Sequence, residues 1–82
     1  MHVIITTESG SRYEINDENK SWARLAIGDP KHTTRTSSGT FVLRSDIIFG
    51  EPFHLYGVGL EAGIRFIQTT PVQSVVPCVE NQ

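Results

Sequence analysis

Apolar residues alternate with polar ones along most of this chain, and the same stretches are rich in Val, Ile, Thr, Phe and Tyr. A period of two in β-branched and aromatic residues is typical of β-strands that bury one face. The pattern predicts strands at 2–7, 11–16, 20–27, 40–49, 53–56, 63–69 and 72–76, with a break or a helical turn at 45–49. Turn signals at short intervals favour an all-β fold, a small antiparallel β-barrel or roll, SH3-like or OB-like, of five to seven strands. We expect its first and last strands to lie side by side.

The first two strands are joined at Ser9–Gly10, which suits a two-residue hairpin turn because glycine readily takes a positive φ. Such a turn places Ile4 opposite Ile15. Strand alternation then fixes which side chains share a face. One face carries Ile4, Thr6, Tyr13 and Ile15, and the other carries Val3, Ile5, Arg12 and Glu14.

The second connection, 17–19, suits a three-residue loop with Asn19 in the left-handed conformation. Ala23 then lies opposite Tyr13, and its neighbours Leu25 and Ile27 join the same face. A loop of two or four residues would swap the faces and turn Trp22 inward. We prefer the three-residue loop because it gathers the larger apolar set into one core.

Under this register the second face mixes aliphatic, aromatic and charged side chains, a composition typical of protein interfaces. We therefore expect an interface formed by Val3, Ile5, Arg12, Trp22 and Arg24. The alternative is that another part of the same chain covers this face, with Phe49 or Phe53 as the candidates. Two facing arginines, Arg12 and Arg24, need an acid or an anion between them, and Glu14 is the nearest candidate.

Three segments carry a resemblance to a known group of proteins. They are an apolar strand with a Ser-Gly turn and a Tyr-Glu-Ile strand at 4–15, the segment Trp22–Leu25, and the closing segment Thr69–Val72. Together they resemble small all-β accessory proteins of actinobacterial phages, over most of the chain to about residue 76. Thr70 stands where those proteins are expected to have Ser. The resemblance implies a phage accessory protein with a small β-fold, and it supplies no catalytic residue.

The length of 82 residues allows one domain, which we place at 1–77, followed by a flexible C-terminal tail at 78–82. A domain this small buries only about 60% of the surface of its unfolded chain, so its core is thin. Cys78 is the single cysteine, so no internal disulfide stabilises the core. We expect a free thiol in a reducing compartment, and a homo-oligomer that supplements the core.

The net charge of −2 counts against a protein built to coat nucleic acid. No apolar run approaches the roughly 20 residues of a membrane span. The first residues lack the features of a signal peptide. We therefore expect no membrane partner and a location in the cytoplasm, that of the host cell if the protein is phage-encoded.

The segment 28–40 combines three potentially cationic side chains with six hydroxyl groups and two glycines. An arginine fork, hydroxyls and exposed backbone N–H groups are what a phosphate or carboxylate requires. The alternative is a solvated flexible loop. For Tyr56, which precedes a glycine-rich stretch at 57–63, we prefer a place in the core, and a stacking platform is the alternative. The predicted ligand-binding residues are Lys31, His32, Arg35, Thr36, Ser37 and Tyr56.

No motif of catalysis or metal binding is present in the sequence. The three histidines, His2, His32 and His54, lack the close spacing of a structural zinc site, so we expect no metal and no cofactor. No serine lies in a nucleophile elbow, so we expect no enzyme.

The sequence favours a non-enzymatic phage accessory protein that counters host defence by binding an anionic, nucleotide-type ligand or a host protein. One alternative is a small nucleic-acid-binding β-barrel that uses Trp22, Tyr56 and arginines. Another is a structural protein of the phage particle.

Overall fold

A computed structural model describes residues 1–27, 34–57 and 66–78. These residues form seven β-strands and no helix. The strands are β1 (His2–Thr7), β2 (Arg12–Asn16), β3 (Ser21–Leu25), β4 (Arg35–Thr40), β5 (Leu43–Arg44), β6 (Pro52–Tyr56) and β7 (Phe66–Pro77). They make one sheet in the order β4-β3-β2-β1-β7-β6-β5, with every neighbouring pair antiparallel. The all-β prediction is confirmed, and the described sheet is open, with β4 and β5 as its edges. Among the described residues no helix is long and apolar enough to cross a membrane.

The long strand β7 joins the two halves of the sheet. Its first part pairs with β6, and its second part pairs with β1, which confirms that the first and last strands are neighbours. The prediction of separate strands at 63–69 and 72–76 is wrong, because β7 continues through Pro71 without a break. Where the β6–β7 register shifts between Pro52 and His54, the Oγ1 of Thr69 accepts a hydrogen bond of 3.0 Å from the backbone N–H of Phe53.

The first hairpin has a three-residue loop, not the predicted two-residue turn. The N–H of Gly10 donates to the carbonyl of Thr7, and the N–H of Thr7 donates to the carbonyl of Ser11, both at 2.9 Å. Gly10 has a φ of 88°, as the turn requires. The extra loop residue shifts the register by one, so Val3 pairs with Ile15. The predicted face assignment of β1 is therefore reversed.

The second hairpin has a four-residue loop, so the preferred three-residue loop is wrong. The left-handed residue is Lys20, with a φ of 55°, and not Asn19. Asn16 favours the longer turn, because its Oδ1 accepts hydrogen bonds from the backbone N–H groups of Glu18 at 2.9 Å and Asn19 at 3.4 Å. Trp22 then pairs with Ile15. This is the alternative that turns the tryptophan inward.

Because of these two register shifts, the residues of the predicted interface do not form one exposed surface. Val3, Ile5 and Trp22 are buried, and they belong to a cluster that Phe53 completes from the second half of the chain. Arg24 lies opposite Tyr13, with its guanidinium 5.9 Å from the ring centroid. Arg12 lies on the other face, opposite Leu25. The mixed surface does not form, and internal cover by Phe53 takes its place.

The hydrophobic core lies on one face of the sheet, here called the inner face, which carries Ile5, Ile15 and Trp22. Its buried members are Val3, Ile5, Ile15, Trp22, Phe41, Phe53, Leu55 and Val72. Trp22 brings a polar atom into this core, and its Nε1 has no hydrogen-bond partner in the described part of the chain. Because the core contains residues of β1 to β3 and of β6 and β7, both halves of the chain share it.

The stretch between β3 and β6 differs from the prediction. Edge strand β4 occupies the end of the segment 28–40, which was predicted as a loop, because its polar residues pair with β3 through the backbone. The predicted strand at 40–49 reduces to the two residues of β5 and an isolated bridge at Phe49. No helical turn forms at 45–49.

Candidate functional site: a polar cleft on the outer face

A polar cleft of about 450 Å³ lies on the outer face of the sheet, across β1 to β4. Its lining is His2, Glu14, Asn16, Asn19, Ser21, Trp22, Ala23, Arg35, Ser38, Gly39 and Thr40. The register explains this composition, because Glu14 pairs with Ala23 and Ala23 pairs with Ser38. Alternate residues of three adjacent strands therefore point to one side. A volume of this size is in the range of small-molecule sites.

A chain of three ionisable side chains crosses the cleft. The carboxylate of Glu14 is central, with its Oε2 at 2.5 Å from His2 Nε2 and its Oε1 at 2.7 Å from Arg35 Nη2. The Glu14 side chain is 15% exposed, whereas that of Arg35 is 54% exposed. Glu14 is thus sheltered between two nitrogen groups, while the guanidinium faces solvent at the edge of the cleft.

Hydroxyl and amide groups complete the cleft wall. Ser38 and Thr40 are exposed on β4, on the same face as Arg35. At the turn, the hydroxyl of Ser21 donates a hydrogen bond of 2.5 Å to Oδ1 of Asn19. These groups are suited to a polar ligand, and the arginine fork is suited to its anionic group.

The predicted ligand-binding residues are only partly brought together. Arg35 lines the cleft, whereas Lys31 and His32 lie outside the described residues. A register shift between Arg24 and Leu25 leaves Thr36 at a bulge, with its hydroxyl 3.3 Å from the carbonyl of Arg24. Ser37 pairs with Arg24 and therefore belongs to the other face.

Tyr56 belongs to a separate aromatic cluster on β6 and β7. Its ring centroid lies 6.0 Å from that of His54 and 5.3 Å from that of Phe66, and His54 and Phe66 are 5.5 Å apart. Tyr56 and Phe66 are 42% and 45% exposed. Tyr56 is therefore outside the core, contrary to the preferred interpretation.

A second arrangement was missed by the sequence reasoning. Ligand atoms of His2, Glu14 and Cys78 all lie within 4.8 Å of one another, and the three residues are half-buried. They are distant in the sequence, so no short spacing signals them. Only the β1–β2 register together with the pairing of the two terminal strands predicts this meeting.

Comparisons with protein-family models, with curated proteins and with solved structures found no match for this chain.

Proposed function

We propose that this chain is a non-enzymatic binding protein whose outer-face cleft holds a small anionic ligand, with Arg35 as the principal contact. The single observation that carries the proposal is the exposed guanidinium at the edge of a cleft lined by hydroxyl groups. Within the described residues this guanidinium makes one contact, from Nη2 to Glu14. A guanidinium has five N–H donors, so further donors are available to a phosphate or carboxylate.

Glu14 is expected to compete with the anionic ligand for Arg35. The carboxylate of Glu14 occupies one donor of Arg35, as an incoming anion would. It therefore competes with the ligand through both charge and hydrogen bonding. Replacing Arg35 and replacing Glu14 should change anion affinity in opposite directions.

The test is a titration with AMP and with inorganic pyrophosphate, followed by isothermal titration calorimetry, which needs no reporter group in the cleft. Arg35→Gln should weaken binding roughly 10- to 100-fold, since a hydrogen bond to a charged group contributes about 1.5–3 kcal/mol. Glu14→Gln should strengthen binding by up to about fivefold, because ion pairs of this exposure contribute about 0.2–1 kcal/mol.

Arg24→Gln is the matched control, because Arg24 is an exposed arginine that does not line the cleft. Its affinity should equal that of the wild type. Equal loss in Arg24→Gln and Arg35→Gln would point to general charge attraction and would overturn the proposal. So would an unchanged affinity in Arg35→Gln.

The biological setting of this proposal rests on the resemblance to phage accessory proteins. In that setting the ligand is nucleotide-like, and its capture blunts a host defence signal in the host cytoplasm. The pairing of β7 with both β1 and β6 supports an SH3-like or OB-like roll as the finer fold. Self-association is also part of the proposal, and it is supported by exposed apolar residues at Val42, Leu43, Phe49 and Phe66.

A second candidate function is binding of single-stranded nucleic acid. Tyr56 and Phe66 favour it, because both rings are exposed and bases stack on exposed aromatic rings at about 1–3 kcal/mol each. Tyr56→Ala should then weaken binding of an oligonucleotide. Arg35→Gln should weaken binding of AMP and leave binding of the oligonucleotide unchanged. Absence of oligonucleotide binding at low salt would exclude this candidate.

A further inference from the structure

Three side chains from different parts of the chain meet on the outer face at one end of the cleft. His2 lies on β1, Glu14 on β2, and Cys78 directly after β7. The N–H of Cys78 donates a hydrogen bond of 2.9 Å to the carbonyl of His2, so the pairing of β7 with β1 extends to this residue. The strands β7, β1 and β2 are adjacent in the sheet, so each ligand has a fixed backbone support.

We propose that His2, Glu14 and Cys78 form a zinc-binding site. Each offers one ligand atom, and these atoms lie within 4.8 Å of one another. An imidazole nitrogen, a carboxylate oxygen and a thiolate sulfur are the donors that zinc takes in proteins. Calcium and magnesium require oxygen ligands, so this set selects against them.

The distances require only a small adjustment. Zinc bonds of 2.0–2.3 Å in a tetrahedron place the ligand atoms roughly 3.3–3.7 Å apart. His2 Nε2 and Glu14 Oε2 are 2.5 Å apart, so they would separate by about 1 Å to admit the ion. The longest separation in the cluster, bounded by 4.8 Å, would close by about the same amount.

Arg35 supports the carboxylate ligand from outside the metal site. It binds Oε1 of Glu14, whereas Oε2 faces His2. Outer partners of this kind orient metal ligands and hold them in place. Three protein ligands leave the fourth position of zinc to water or to a ligand in the adjacent cleft.

Zinc binding changes the protonation of the cluster. The thiol of Cys78 loses its proton to solvent as the sulfur–zinc bond forms. The proton between His2 Nε2 and Glu14 Oε2 leaves for solvent, and each of these two atoms forms a bond to zinc instead. The neutral imidazole that binds zinc through Nε2 then carries its proton on Nδ1. Affinity therefore rises with pH, since protons compete with the metal.

The test uses full-length protein without a polyhistidine tag, titrated with Co²⁺ as a spectroscopic substitute for Zn²⁺. We expect one equivalent of Co²⁺ to produce a thiolate-to-cobalt charge-transfer band, and one equivalent of Zn²⁺ to remove it. Absence of the charge-transfer band at saturating Co²⁺ would overturn the proposal. Displacement of Co²⁺ by an equal concentration of Mg²⁺ would also overturn it.

Three variants assign the ligands. Cys78→Ser should abolish the charge-transfer band, and His2→Ala and Glu14→Gln should each weaken Co²⁺ binding by at least about 10- to 100-fold, the range seen even for outer partners of a metal. His54→Ala is the control, because His54 lies in the aromatic cluster. Circular dichroism checks that each variant folds. A band that persists in Cys78→Ser, or that disappears in a folded His54→Ala, would refute the assignment.

This site shares His2 and Glu14 with the cleft, but separate measurements distinguish metal binding from anion binding. Cys78 does not line the cleft, so Cys78→Ser should lose the cobalt band and keep the affinity for AMP. Glu14→Gln should lose metal affinity while it gains anion affinity. The two proposals therefore fail through different measurements.

Discussion

The ion pair between Asp17 and Arg44 offers a quantitative test of the fold. It joins the turn after β2 to edge strand β5, which are remote from each other in the order of the sheet. Arg44 Nε donates to Asp17 Oδ1 and Arg44 Nη2 donates to Asp17 Oδ2, both at 2.7 Å. The perturbation is a double-mutant cycle of Asp17→Asn, Arg44→Gln and the double variant.

The expected coupling follows from geometry and exposure. Exposed ion pairs contribute about 0.2–1 kcal/mol, whereas hydrogen bonds to charged groups contribute about 1.5–3 kcal/mol. This pair is bidentate, and the side chains are 20% and 26% exposed, so it lies between these classes. We expect a coupling free energy of about 1–2 kcal/mol. For a domain of this size, each 1 kcal/mol corresponds to about 4–8 °C in Tm.

The assay is urea unfolding of all four proteins at neutral pH and at acidic pH. Glu18→Gln, which removes an exposed carboxylate next to Asp17, is the control and should leave stability nearly unchanged. A coupling near zero at neutral pH would refute the reasoning. It would mean that β5 is not held against the turn.

The pH dependence has a defined sign. Hydrogen bonding to Arg44 lowers the pKa of Asp17 below its ordinary value of 3.8. A group with a lowered folded-state pKa stabilises the protein above its unfolded-state pKa, and this stabilisation is lost as pH falls through the folded-state pKa. The coupling should therefore be complete above about pH 5 and should shrink below 3.8. A coupling that stays constant into strong acid would contradict this cause.

The remaining predictions concern the register and one tight turn. Ile5→Ala should destabilise the protein by about 2–5 kcal/mol and Ile4→Ala by clearly less, because Ile5 is fully buried and Ile4 is not; equal losses in chemical unfolding would contradict the β1 register. Gly57→Ala should lower the free energy of unfolding more than Gly10→Ala does. Both glycines have a positive φ, which costs about 1–2 kcal/mol with a side chain, but only at Gly57 would a Cβ lie 2.6 Å from Val42 Cγ2. Thermal unfolding of the two variants measures the difference, and equal Tm values would contradict the contact.

The sequence was informative about which segments are strands and less so about how they pair. Alternation of apolar residues identifies β1 and β6, because each buries every second side chain. In β3 the alternation is less clear, since Trp22 is buried on one face and Ala23 and Leu25 on the other. Edge strand β4 has no apolar alternation, since its side chains are almost all exposed, and only backbone pairing with β3 defines it. No periodicity in the sequence reveals such a strand.

The errors in register arose from loop length. One more residue in each of the first two loops reversed the faces, because side chains alternate with a period of two. Asn16 held a local signal for the longer second loop, since its side chain caps the backbone of the turn. The register decides the composition of the site, because it buries Trp22 in the core and places Glu14 in the cleft.

The candidate site was predicted only through Arg35. Its partners Glu14 and His2 come from strands far away in the sequence, and only the sheet register brings them together. The meeting of His2 with Cys78 depends on the pairing of the terminal strands. A side-chain pattern along one segment carries no information about such contacts.

The most direct test of the central claim is an NMR titration of isotope-labelled protein with AMP, in which each backbone amide reports on its own surroundings. Anion binding in the cleft predicts that the largest shift changes occur at Ser21, Arg35, Ser38 and Thr40, and that Arg35→Gln abolishes them. Shift changes confined to Tyr56 and Phe66, or no change at saturating AMP, would contradict it.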